Sequence, residues 1–275
     1  MPAVKERVQS RVDEKYRETK KMDMPLNELK RALKAGRTQT GCWLSLASHV
    51  SAEICASAGF DWVLVDTEHA PADLQNVHHQ LHAIAPYPVS ALVRAYWNDT
   101  VLIKRLLDVG VQSLLLPYVQ SAEEAKRAVA AVRYPPKGVR GVSANSRANR
   151  FGRVKDYFEH ANNEICLMVQ VETRAAVAEI EKMAAIDGID GIFIGPQDLA
   201  ADFGYLGNPG HPDVQAAMAD ALTRIKKTGK VPGILAFNEP DAKRWIAHGA
   251  QFVAVTSDQF LLVRESAAVA SRFKT

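Results

Sequence analysis

ICLMVQVETRAAVAEIEKMA, residues 165–184, changes period at Glu172. Residues 165–171 form a nearly unbroken apolar run, the composition of a strand covered on both faces. From Thr173 onward apolar residues recur at helical spacing, so Glu172 stands at a strand-to-helix junction. The same alternation runs through the chain. Strands are expected at 41–46, 62–66, 89–94, 113–117, 165–171, 191–195, 232–236 and 252–256. Helical patterns fall after them at 51–58, 72–85, 99–109, 122–132, 173–184, 213–227, 239–248 and 259–273. Gly59, Gly110, Gly188, Gly229 and Gly249 each follow a helical stretch, where glycine supplies the left-handed closing residue. Eight such units in a chain of 275 residues point to an α/β protein, a (β/α)₈ TIM barrel. A doubly wound open sheet is the alternative. No G-x-G-x-x-G follows the first strand, which argues against a dinucleotide site.

A short amphipathic helix at 27–35 precedes the first strand. Residues 1–21 are densely charged and lack strand character. The division expected is a charged N-terminal arm, 1–25, helical or disordered and without chemistry, and one barrel domain, 26–275. A 47% hydrophobic and 24% charged composition suits such a domain. The net charge is only +3 with signs interspersed, so nothing in it calls for nucleic acid or an anionic membrane. There is no bilayer-length apolar run and no signal-peptide core. Cys42, Cys55 and Cys166 are odd in number, far apart and in apolar surroundings. They fit reduced core residues of a cytoplasmic protein.

Chemistry in a barrel of this kind sits at the carboxyl ends of the strands. Read there, the chain supplies Trp43; Asp66-Thr67-Glu68-His69; Arg94 with Tyr96-Trp97-Asn98; Gln170 and Glu172; Gln197 and Asp198; and Ser257-Asp258. Glu172 and Asp198, beyond successive strands, can bind a hard divalent cation such as Mg²⁺ or Mn²⁺ and leave most of its sphere to water and substrate. Each residue also has a plainer role. Glu172 can mark a strand exit, and Asp198 can be an acid in a helix's first turn. Asp66 or Thr67 can cap a helix, Arg94 can be a structural ion-pair partner, and His69 a surface histidine. Trp43 can be core, and Gln170 can satisfy buried backbone. The convergence of all of them on one rim favours a site. His78 and His82, four apart in mid-helix, read as surface residues. The long link from Tyr134 to His160 holds Arg140 and Arg147, which either meet an anionic substrate or tie the loop to the barrel or another subunit.

The segments Val65-Asp66-Thr67-Glu68-His69-Ala70-Pro71, Val93-Arg94 with Trp97-Asn98-Asp99, 103–110, Arg133-Tyr134-Pro135-Pro136 with Arg140-Gly141-Val142, Val169-Gln170-Val171-Glu172-Thr173 and 193–199 resemble the HpcH/HpaI aldolase/citrate lyase family from about Leu26 to Phe273. The resemblance implies a metal-dependent aldolase that reversibly splits 4-hydroxy-2-oxoacids, either 2-keto-3-deoxy sugar acids or 4-hydroxy-2-oxoheptanedioate-like acids, into pyruvate and an aldehyde. It implies Glu172 and Asp198 as ligands of Mg²⁺ or Mn²⁺, with Co²⁺ a further option. Gln170 and the backbone N–H near Gln197 would bind the 2-oxoacid, with Trp43 and Asp66 also on the substrate side. His69 would be the acid/base, Arg94 the enolate stabiliser, and Asp108 the carboxylate raising the basicity of His69. No Schiff-base lysine is required. Thr67 stands where the family commonly has glycine, and Gln197 where it has alanine or serine. Asp108 closes a helix whose end belongs at the opposite barrel face, so if it serves a His69 it does so from a neighbouring chain; Asp66 is the local alternative, holding a metal-bound water. A homohexamer is implied. Other readings are a lyase on acyl-CoA esters, as in citrate lyase, and a non-catalytic binding barrel.

Overall fold

The computed structural model describes residues 22–274. The expected arm therefore lies mostly outside the described residues; Met22 pairs with Val154 in an isolated bridge. The strands β1 (Gln39–Leu44), β2 (Trp62–Asp66), β3 (Ser90–Arg94), β4 (Ser113–Leu116), β5 (Cys166–Val171), β6 (Gly191–Ile194), β7 (Val231–Leu235) and β8 (Phe252–Ser257) form a closed barrel in chain order. All pairings are parallel, including β1 with β8. The doubly wound alternative falls on that closure.

Helix α1 (Glu28–Lys34) precedes β1. Asn27 caps it by accepting from the Lys30 N–H at 2.9 Å. Between strands run α2 (His49–Ala56), α3 (Leu74–Ile84), α4 (Thr100–Asp108) and α5 (Ala122–Val132). Then come α6 (Tyr157–His160), α7 (Arg174–Ala178), α8 (Ile180–Ala184), α9 (Pro196–Asp202), α10 (Pro212–Lys227), α11 (Glu239–His248) and α12 (Asp258–Ser271). Most begin at a side-chain cap, as Asp73, Asp99, Ser121 and Asn238 do. Gly110 and Gly249 close α4 and α11 at φ +98° and +118°, a region costly for other residues.

Two apolar cores follow from the alternation of side chains along each strand. One fills the space between sheet and helices, with Val63, Val65, Leu114, Val169 and Ile192 pointing outward. The other fills the barrel with Trp43, Leu64, Leu92, Met168, Phe193 and Phe252, and Leu29 and Leu33 of α1 join it. Trp62 stacks on Phe252 with ring centroids 4.1 Å apart. That stack exists because residue 41 is glycine: a Cβ there would lie 2.0 Å from the Trp62 ring. Among the described residues no helix is long and apolar enough to cross a membrane. The three cysteines are free and buried.

Candidate active site

The carboxyl ends of β2, β3, β5 and β6 bring Asp66, Arg94, Gln170 and Glu172 to one mouth, with Asp198 in the first turn of α9. Arg94 is the most constrained of these. Its Nε donates to Asp66 Oδ1 at 2.9 Å and its Nη2 to Oδ2 at 2.6 Å. Its Nη1 lies 2.7 Å from Glu68 Oε2. Its guanidinium sits over the Trp43 ring, 4.9 Å from the centroid. Trp43 is buried and also meets Phe193, so it is the floor beneath Arg94 rather than an open ligand platform. Burial pushes the Asp66 carboxyl up, but the Arg94 hydrogen bonds and charge outweigh it and hold the group below its ordinary range.

Glu172 is 2% exposed. Its Oε1 accepts the Tyr118 backbone N–H at 2.7 Å and its Oε2 accepts from Gln170 Nε2 at 2.7 Å. Burial nevertheless pushes its pKa up to about 7, aided by the charges of Asp198 and Glu68 and opposed by those two hydrogen bonds. Glu68 is likewise pushed up to about 7, by burial first and then by Asp66 and Asp198, against the pull of Arg94. Two carboxylates, Asp66 and Glu68, thus hold one guanidinium, and the charges of Glu68 and Asp198 are felt at Glu172.

The residues present fit a divalent cation. The donor set is carboxylate oxygen, the choice of a hard ion. The surplus of negative charge is what such an ion neutralises. Gln170 Oε1 is buried without a hydrogen-bond partner. Gly195 keeps the space beside the carboxylate clear, because a Cβ there would lie 2.4 Å from Glu172 Oε2. Among the described residues no three His, Cys, Asp or Glu side chains gather as a metal cluster, so Glu172 and Asp198 would hold the ion as a pair.

His69 lies at the same mouth, with its side chain 68% exposed and Nε2 3.9 Å from Glu68 Oε1. Gln197 is exposed beside Asp198. Asp108 is not brought to His69 within the chain. It ends α4, whose carboxyl end faces the amino ends of the strands, and its Oδ1 lies 3.5 Å from Arg140 Nη2. Arg140 is fully buried and stacks on Tyr134, while Arg147 donates to the Val109 carbonyl at 2.8 Å. Both arginines thus tie the long loop to the barrel's amino end, the plainer of the two roles foreseen for them. Asp258 is structural too. It accepts from the N–H groups of Ser45 and Leu46, from Ser51 Oγ and from the Gln259 N–H.

Sequence reasoning passed over Glu68, Thr67 and Tyr118 as actors in the site. Glu68 had a visible signal, a second acid two residues past Asp66 and next to His69. Thr67 acts on backbone: its hydroxyl donates to the Arg94 carbonyl at 2.6 Å. Tyr118 contributes only its N–H, which no side-chain pattern announces.

The barrel and the charged rim at the carboxyl ends of its strands suit a carbon–carbon lyase of the aldolase kind. Residues 39–264 match the sequence profile described as HpcH/HpaI aldolase/citrate lyase, and the chain belongs to that family. A "Pyruvate aldolase" of Rhizobium etli is 57% identical over 254 residues, covering 92% of this chain and 100% of that one. A "4-hydroxy-2-oxo-heptane-1,7-dioate aldolase" of Salmonella paratyphi C is 56% identical over 248 residues, covering 90% of this chain and 94% of that one. The crystal structure of a family member from Burkholderia cenocepacia superposes with a TM-score of 0.88 at 38% identity, covering 90% of this chain and 100% of that one.

Proposed function

We propose that the protein is a divalent-metal-dependent aldolase that reversibly cleaves 4-hydroxy-2-oxoacids into pyruvate and an aldehyde. The observation that carries this reading is the fixed Arg94 guanidinium at the same barrel mouth as Glu172 and Asp198. Glu172 and Asp198 would hold Mg²⁺ or Mn²⁺. When bound, the ion supplies Lewis-acid withdrawal of electrons from the 2-oxoacid.

In the cleavage direction the C3–C4 bond breaks. The C4 hydroxyl loses its proton and becomes the aldehyde carbonyl, and the bonding pair enters the enolate of pyruvate. Arg94 stabilises the charge that arrives on the former keto oxygen, because it is preorganised by Asp66 and Trp43 and does not reorient during the step. Of its five N–H donors, two are given to Asp66, while Nη1 is held in an ion pair with Glu68; the others remain for substrate. His69, exposed at the mouth, takes the proton from the C4 oxygen, a task suited to imidazole near neutrality. Gln170 orients Glu172 by its amide hydrogen bond. Gln197 and the backbone N–H groups at the start of α9 face the 2-oxoacid.

The reading extends to a homo-oligomer, a hexamer by family resemblance. Exposed Ile54 on α2 and Leu262 and Val263 on α12, helices that pack together, form an apolar face for a second copy. Asp108, far from the His69 of its own chain, would serve that of a neighbour. Three free buried cysteines suit a cytoplasmic protein. Residues 26–275 would act as one domain with 1–25 as an appended arm. The test is an aldehyde panel with pyruvate, run on protein stripped by chelator and then reloaded with Mg²⁺ or Mn²⁺. Aldol product only after reloading is expected; product at full rate in chelator, or none under any condition, would overturn the reading.

A further inference from the structure

We propose that Glu68 is a positioning residue that acts through Arg94, and that Asp66, Thr67 and Glu68, at the end of β2 and just after it, form a dedicated clamp on that arginine. The proposal rests on the aldolase reading and adds a part to its machinery. Asp66 takes Nε and Nη2 of Arg94, as described above. Glu68 takes the remaining nitrogen, Nη1, at 2.7 Å. Thr67, fully buried, holds the Arg94 main chain: its N–H reaches the Arg94 carbonyl at 3.1 Å and its Oγ1 donates to the same oxygen at 2.6 Å. The clamp is itself braced, because the Glu68 N–H donates to Asp66 Oδ1 at 3.0 Å.

A bidentate pair with Asp66 alone fixes one edge of the guanidinium and leaves the plane free to swing about that edge. Glu68 on Nη1 removes the swing, while the Trp43 ring bars movement downward. Glu68 Oε2 is buried and makes no hydrogen bond beyond that ion pair. A carboxylate so placed has no evident structural task in the barrel core. Its side chain is otherwise turned to the mouth, with Oε1 3.9 Å from His69 Nε2. The consequence is that the N–H groups Asp66 does not take are held where substrate oxygen would arrive.

The test uses Mg²⁺-loaded full-length protein, with pyruvate affinity read by calorimetry and oxaloacetate decarboxylation read as kcat/KM. Glu68→Ala removes the 2.7 Å ion pair to Arg94 Nη1, and the expected loss is about tenfold in both readouts. Glu68→Gln keeps an acceptor oxygen for Nη1 and is expected to restore most of it. In an Arg94→Lys background, which keeps the charge but drops the fork, Glu68→Ala is expected to cost little more, the coupling a positioning role demands. Wild-type behaviour for Glu68→Ala would overturn the proposal. So would the same tenfold loss in the Arg94→Lys background, or a Glu68→Gln variant as damaged as Glu68→Ala. If the wild-type protein itself bound no pyruvate with Mg²⁺, the aldolase reading would fall and take this proposal with it.

Discussion

Tyr118 donates its backbone N–H to Glu172 Oε1 at 2.7 Å, and it does so from a left-handed backbone, φ +52°. A bulky residue adopts that conformation only where its surroundings insist on it. Its ring stacks on Trp97, with centroids 5.8 Å apart. The turn after β4 is thus bent to aim one N–H at the carboxylate that would face the metal. On the other side Gln170 and the bare Cα of Gly195 complete the seat. Gly195→Ala places a Cβ 2.4 Å from Glu172 Oε2 and must push the carboxylate aside. We expect Mn²⁺ affinity to fall by about tenfold or more, the scale of disturbed metal-site support, with the far-UV circular dichroism unchanged. Unaltered Mn²⁺ binding by calorimetry would show that the seat is not tight.

The raised pKa of Glu172 predicts the sign of a pH effect on metal-free protein. An acid that titrates near 4.5 when unfolded and about 7 when folded binds more protons in the folded state between those values. Stability of the stripped protein should therefore fall as pH rises from about 4.5 to about 7, and then level off. Glu68 adds to the same trend. Glu172→Gln should flatten the slope to the part Glu68 contributes and melt higher than wild type at pH 8, while binding Mn²⁺ poorly. Melting curves across that pH window decide the matter; a rising slope for stripped wild type would contradict it.

Arg94 and His69 should separate by reaction. On the proposed roles Arg94 would meet charge in every enolate-forming step, so Arg94→Ala should lose both aldol cleavage and oxaloacetate decarboxylation. His69 would act on the proton of the C4 hydroxyl, and decarboxylation has no such proton to move. His69→Ala should lose about 10²-fold or more in aldol cleavage, the scale of a general base, and far less in decarboxylation. Both rates are measured on one metal-loaded preparation of each variant. Equal proportional damage by the two substitutions would dissolve this division of roles.

The barrel was legible because its signals are local. β2 at Trp62–Asp66, α5 at Ala122–Val132 and α11 at Glu239–His248 lie where the patterns place them. Where the reading slipped, a distant or weak feature was responsible. β1 was expected at 41–46 and ends instead at Leu44, because Asp258, more than 200 residues later, captures the N–H groups of Ser45 and Leu46. The helix expected at 173–184 divides at Glu179, whose backbone leaves the helical region. α9 has only seven residues and opens on proline after glycine, too short for a period to show. Within the site, the rim positions of Asp66, Arg94, Gln170, Glu172 and Asp198 followed from strand ends alone. The grip of Glu68 on Arg94 and the pairing of Asp108 with Arg140 join residues 26 and 32 positions apart, and no local pattern encodes them.

Assembly carries its own prediction. Ile54 is 64% exposed and Leu262 61% exposed on adjoining helices. Such a shared apolar face is costly to leave in water. A closed symmetric homo-oligomer is expected by light scattering. Ile54→Glu with Leu262→Glu should dissociate it and lower activity, if Asp108 serves a neighbour's His69. A fully active wild-type monomer would contradict both points.

Exchange of the methyl protons of pyruvate with solvent deuterium, followed by proton NMR, tests the central claim most directly, since it reports enolate formation without any aldehyde. Protein stripped by chelator should exchange no faster than buffer, Mg²⁺ should restore exchange, and Glu172→Ala and Asp198→Ala should not respond to Mg²⁺. Undiminished exchange in excess chelator, together with a lysine adduct of pyruvate trapped by borohydride, would contradict the account.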